Sequence, residues 1–93
     1  MSQLLNNAEI QARVSQLHGW TVEGQELRCI RKFKDFLEAI AFVNRLVAPA
    51  EASAHHPDLA ISYNQVTISL TTHDAGGLTA KDFEMAIQIS QLD

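Results

Sequence analysis

The stretch Glu51-Ala52-Ser53-Ala54-His55-His56-Pro57-Asp58 gathers two histidines and two carboxylates within eight residues. A second polar pair, His73-Asp74, follows further along. Imidazole titrates near neutrality, so it can both donate and accept protons, and in its neutral form it ligates metals. Whether these groups act together depends on the elements that carry them.

Leu59, Ile61 and Tyr63 alternate with small or polar residues, and Val66, Ile68 and Leu70 do the same. Asn64-Gln65 between the two runs predicts a two-residue hairpin loop. An antiparallel hairpin with arms of about seven residues brings its start and its end together. His55 and His56 precede one arm and His73 follows the other. The pairing therefore puts all three histidines at one end of the sheet.

Three readings are open for such a cluster. The histidines could be ordinary loop residues without a role. They could hold a metal, although adjacent histidines rarely ligate one ion because their side chains diverge, and no HExxH spacing is present. Or they could move protons as metal-free general acids and bases.

The rest of the chain supplies the scaffold. Ile10, Val14 and Leu17 recur with helical spacing over Ala8–Leu17, with Asn6 and Glu9 as a capping box and Gly19 as a stop. Trp20-Thr21-Val22 and Glu26–Phe33 read as strands around a turn at Glu23-Gly24-Gln25. Arg31 interrupts the apolar face Leu27, Cys29, Phe33. A second helix follows the cap Asp35, with Glu38 at N3 and Phe36, Ile40, Val43, Leu46 and Val47 as its core stripe. Pro49 should end or kink it. Asp74 to Gly77 reads as a loop. Thr79 and Asp82 form another capping box, opening a helix with Phe83, Ala86, Ile87 and Ser90 on one face. The order α-β-β-α-β-β-α predicts an α+β fold, a four-stranded antiparallel sheet with three helices on one face.

Composition sets the outer bounds. Ninety-three residues make one domain, 1–93, and a domain so small buries a modest share of its surface. The net charge of −4 argues against direct nucleic-acid binding. Arg28, Arg31, Lys32 and Lys34 cluster, and read as a solvated strand face. No apolar run is long enough for a membrane span, and the first residues carry no signal-like block. The lone Cys29 excludes an internal disulfide and fits a cytoplasmic setting.

Taken as a pattern, Glu51, His55-His56-Pro57, Tyr63, His73 and Asp82 stand at the spacings of a known signature. Gly19-Trp20, Phe33-Lys34-Asp35-Phe36, Ala41-Phe42-Val43-Asn44, Tyr63-Asn64-Gln65-Val66 and the run from Thr72-His73-Asp74 to Gly77-Leu78-Thr79 add to it. Over nearly the whole chain the sequence resembles the pterin-4a-carbinolamine dehydratases. Two residues depart from the family pattern: Leu59 where many members carry Trp, and Pro49 two residues before Glu51.

The resemblance implies a hydro-lyase that removes water from 4a-hydroxytetrahydropterin, giving quinonoid dihydropterin. That reaction serves tetrahydropterin recycling and links the chain to an aromatic amino-acid hydroxylase. It implies no metal and no redox cofactor, the pterin being the substrate. His55 and His73 would transfer protons. His56 would position substrate or move a second proton. Glu51 would orient an imidazole and favour its charged form. Pro57 would wall the ring, and Asp58, Tyr63, Thr72 and Asp74 would line the substrate site. For Asp82 the capping role suffices. Relatives form homodimers or homotetramers, and some serve as non-catalytic dimerisation or assembly modules, which is the alternative function.

Overall fold

The computed structural model describes residues 3–92. Its elements are α1 (Asn7–Val14), β1 (Trp20–Glu23), β2 (Glu26–Lys32), α2 (Phe36–Ser53), β3 (Asp58–Ser62), β4 (Gln65–Leu70), a 3-10 turn (His73–Ala75) and α3 (Ala80–Ser90). The four strands form one antiparallel sheet in the order β1-β2-β4-β3. This is the α+β order expected. No helix among the described residues is long and apolar enough to cross a membrane.

The core lies between the helices and one face of the sheet. Leu27 and Cys29 of β2, and Val66, Ile68 and Leu70 of β4, are buried in alternation. Phe42 and Leu46 of α2 and Phe83, Met85 and Ile89 of α3 cover them. Burying a large apolar side chain contributes roughly 1.5–3 kcal/mol, so this double row fixes the register of the central strands.

The caps form as the sequence requires. Asn6 Oδ1 accepts from Glu9 N at 2.8 Å while Glu9 Oε1 accepts from Asn6 N at 2.9 Å. Asp35 Oδ1 accepts from Glu38 N at 2.9 Å. α1 nevertheless stops at Val14, short of Leu17, because Gln16 and Leu17 donate three residues back and tighten the chain into a turn.

Four expectations are corrected. Pro49 does not end α2, which continues to Ser53. Proline removes only one backbone donor, and buried Ala50 anchors the following turn to the core. The hairpin turn is Tyr63-Asn64 rather than Asn64-Gln65, since Gln65 pairs with Ser62. Asn64 fixes that position by donating from Nδ2 to Phe33 O at 2.8 Å and accepting from Phe33 N at 2.8 Å. The stripe chosen for the core of α2 is one face too wide: Leu46 is buried, but Phe36 and Val47 are half-exposed, and Ala39, Phe42 and Ala50 take their place. On α3, Ile87 and Ser90 face outward while Met85 and Ile89 are buried.

Arg31 also departs from the solvated-face reading. Its guanidinium carbon stands 4.8 Å from the Phe42 ring centroid and 5.7 Å from that of Phe33. Cation–π attraction lets a charged residue occupy the apolar side of β2.

Candidate active site

α2 ends in a sharp reversal at Ala54, which adopts the left-handed conformation with φ 50°. Ala54 N donates to the carbonyls of Ala50 and Glu51, and His55 N donates to Ala50 O, so the last turn of α2 is closed. The reversal sends His55, His56 and Pro57 across the end of the sheet into β3. From the other side, β4 runs through Thr71 and Thr72 into the 3-10 turn that carries His73 and Asp74. Thr72 and Gly77 close that loop as an isolated bridge. The three histidines thus meet where the hairpin geometry required, around a cavity of about 250 Å³ lined by His55, His56, Thr71, Thr72, His73, Asp74, Ala54 and Lys81.

Two of the histidines have carboxylate partners. His55 Nε2 lies 2.6 Å from Asp82 Oδ1, and His56 Nε2 lies 2.5 Å from Glu51 Oε2. A carboxylate only accepts, so each imidazole donates from Nε2 and keeps Nδ1 as its basic nitrogen. The surroundings of the pairs differ. Asp82 is fully buried and His55 nearly so, whereas Glu51 and His56 are mostly exposed. His73 is exposed and its ring has no hydrogen-bond partner among the described residues.

Asp82 stands at the centre of a fixed network. Its Oδ2 accepts from Thr72 Oγ1 at 2.8 Å and from Thr79 N at 2.9 Å, and the two threonine hydroxyls lie 2.8 Å apart. One residue therefore caps α3 and holds His55. A buried carboxylate needs this number of donors to offset its desolvation. The capping pattern was visible in the sequence, but capping alone does not account for Asp82. Sequence spacing did not reveal the second role, because the partner His55 arrives from another element.

The imidazole that Glu51 meets is that of His56. Beyond His56 lies a smaller hollow of about 190 Å³, lined by Glu51, Pro57, Leu59 and apolar residues of α2. His56 borders both spaces. Asp58 and Tyr63 line neither. Asp58 opens β3 opposite Ser69, and Tyr63 occupies the turn at the far end of that strand with φ 53°. Lys81 also lines the cavity, although no motif in the sequence singles it out. A cation in the first turn of α3 opposes the helix dipole, and that mismatch is the signal that marks it. Among the described residues, no three His, Cys, Asp or Glu side chains come together as a set of metal ligands.

The family described as pterin 4 alpha carbinolamine dehydratase matches residues 3–92. A protein of Trichormus variabilis is 64% identical over the full length of both chains. One of Cyanothece sp. is 65% identical over 99% of this chain and 95% of its own. Both are provisionally named for the same dehydratase. A crystal structure from Brucella melitensis, described as a transcriptional coactivator/pterin dehydratase, superimposes with a TM-score of 0.87 at 34% identity, covering 92% of this chain and 94% of that one. A pterin dehydratase-like protein described as a RuBisCO assembly factor shares the fold, with a TM-score of 0.65 at 23% identity over 77% of this chain and 86% of its own. The match across all but the extreme termini, on a fold that brings the signature histidines to one cavity, places the chain in the pterin-4-alpha-carbinolamine dehydratase family, a family of hydro-lyases.

Proposed function

We propose that the chain dehydrates 4a-hydroxytetrahydropterin to quinonoid dihydropterin by histidine acid–base catalysis. The observation that carries this reading is the convergence of His55, His56 and His73 on one cavity, with His55 held by the buried carboxylate of Asp82. In the reaction the bond from carbon 4a to its hydroxyl oxygen breaks, and a ring nitrogen loses its proton as the new double bond forms. Hydroxide leaves poorly, so the oxygen takes a proton and departs as water. His55, fixed by Asp82 as the Nε2–H tautomer, offers Nδ1 to receive the ring proton. His73, across the cavity and without a competing partner, delivers a proton to the leaving oxygen. His56, steadied by Glu51, orients the ring, with Thr72 and Asp74 at the rim and Pro57 walling the adjoining hollow that His56 also borders. Such proton transfers are typically worth 10²–10⁴-fold, or about 3–5 kcal/mol of barrier. The pterin is a substrate, and neither a metal nor a redox cofactor enters the scheme. Turnover of 4a-hydroxytetrahydropterin by purified protein, above the uncatalysed rate and unaffected by EDTA, tests it. An uncatalysed rate alone would refute it.

The substrate is the by-product of aromatic amino-acid hydroxylation, so the chain would act beside such a hydroxylase, in the cytoplasm. Self-association forms part of the same reading. Every residue of the edge strand β3 is exposed, including Leu59 and Ile61, and Phe36 and Val47 continue an uncovered apolar row along α2. Unpaired strand edges and apolar rows of this kind are covered in stable proteins. A homodimer or homotetramer built on β3 and α2 would cover both. Light scattering that gave a single-chain mass at every concentration would contradict it. The non-catalytic assembly role remains the alternative, and rests on fold likeness alone.

A further inference from the structure

A second cavity lies away from the histidines, at the other end of α3. It encloses about 490 Å³, within the range of small-molecule sites. Asp82 and Ser90 mark the two ends, about 12 Å apart along the helix axis. Trp20 and Cys29 form the floor of this cavity, and Leu17 and Ile87 contribute apolar wall. Trp20 Nε1 donates to Ser90 Oγ at 2.9 Å, which leaves the serine hydroxyl proton free to donate. No Asp or Glu among the described residues lines it.

Arg31 is the charged group of this cavity. It sits on the apolar side of β2, over the rings of Phe42 and Phe33. Its guanidinium has no carboxylate partner and no hydrogen bond among the described residues. Ring contact satisfies the face of a guanidinium but not its in-plane N–H donors, which match a carboxylate two at a time. A partly buried cation with unmatched donors, beside the apolar surfaces of Leu17, Trp20 and Ile87 and the uncharged amides of Gln16 and Gln91, with no acid in the lining, calls for an anion with an apolar body.

We propose that this cavity binds a small monocarboxylate with a compact apolar body, the carboxylate paired with Arg31 and the body against Trp20, Leu17 and Ile87. The site is separate from the proton-transfer cavity and does not depend on the proposed reaction.

Trp20 is the sole tryptophan, so its fluorescence reports on the site directly. The probe is cyclohexanecarboxylate, which does not absorb with tryptophan, against cyclohexanecarboxamide at equal ionic strength. Wild type should show a saturable change with half-saturation at or below about 1 mM, and a response at least tenfold weaker to the amide. Arg31→Gln should lose the carboxylate response, and His73→Ala should keep it. Should Arg31→Gln fail to fold, backbone-amide shifts of wild type decide the matter: shifts at residues 16–20 and 87–91 support the site. No saturation, equal response to acid and amide, an unchanged Arg31→Gln, or shifts confined to residues 71–74 would each overturn it.

Discussion

His55 Nε2 stands 2.6 Å from Oδ1 of Asp82, a carboxylate with no solvent exposure. The pair joins the segment after α2 to the first turn of α3, and the same carboxylate collects Thr72 Oγ1 and Thr79 N. The N3 residue of the box that caps α3 is thus also the one that fixes the tautomer of a histidine.

Asp82→Asn separates these roles. The amide can still accept from Thr79 N, but it cannot accept from both Thr72 and His55. Turnover should fall about 10²-fold or more, because the Nε2–H tautomer is no longer imposed. Stability should fall by about 1–3 kcal/mol, as buried donors lose their acceptor. Steady-state kinetics and a denaturant titration on the same preparation read both.

His55→Ala and His73→Ala should each lower kcat by about 10²–10⁴-fold. Their effects on stability should differ. His73 is exposed and has no hydrogen-bond partner among the described residues, so its removal should leave the melting temperature within the error of wild type. His55→Ala strips a partner from a buried carboxylate and should lower it.

Much of this arrangement could be read from the residues, and the reasons for the exceptions are physical. The alternation in β3 and β4 was enough to bring His55, His56 and His73 to one end, since antiparallel pairing leaves no other outcome. The turn was displaced by one residue because Asn64 is tethered to Phe33, a contact between residues distant in sequence. Apolar spacing on α2 could not tell Phe42 from Phe36, as both lie on apolar faces and only the sheet decides which is covered. Alternation alone sets Arg31 on the apolar face of β2, but nothing periodic in the sequence shows that the rings of Phe33 and Phe42 would receive its charge there. Spacing alone does not say which imidazole Glu51 meets, and the reversal at Ala54 brings His56 to it.

Glu51→Gln should have a small effect. The pair with His56 is largely solvent-exposed, and such pairs contribute about 0–1 kcal/mol to stability. The melting temperature should not move measurably. A loss of about five- to tenfold in kcat/KM would reflect poorer orientation of His56.

Ala54 pays a conformational cost for its φ of 50° that glycine would not incur. Ala54→Gly should raise stability by up to about 1 kcal/mol in a denaturant titration, offset in part by the greater freedom of the unfolded chain. The reversal itself should persist, and with it the activity.

Burial pushes the Cys29 thiol above its ordinary pKa of 9.0, against the smaller opposing effect of nearby Arg31. The folded chain then holds this proton more tightly than the unfolded chain. Its contribution to stability is complete below pH 9.0 and is lost as pH rises above that value through the folded pKa. Cys29→Ala should flatten the fall in stability over that alkaline range relative to wild type.

In the proposed mechanism His55, held by Asp82, moves a proton of the pterin. The most direct measurement is the initial rate of 4a-hydroxytetrahydropterin dehydration by wild type and by His55→Ala, both in EDTA and both checked for folding. Wild type should turn over rapidly and the variant should lose at least about 10²-fold. Wild type at the uncatalysed rate, or His55→Ala as fast as wild type, would contradict it.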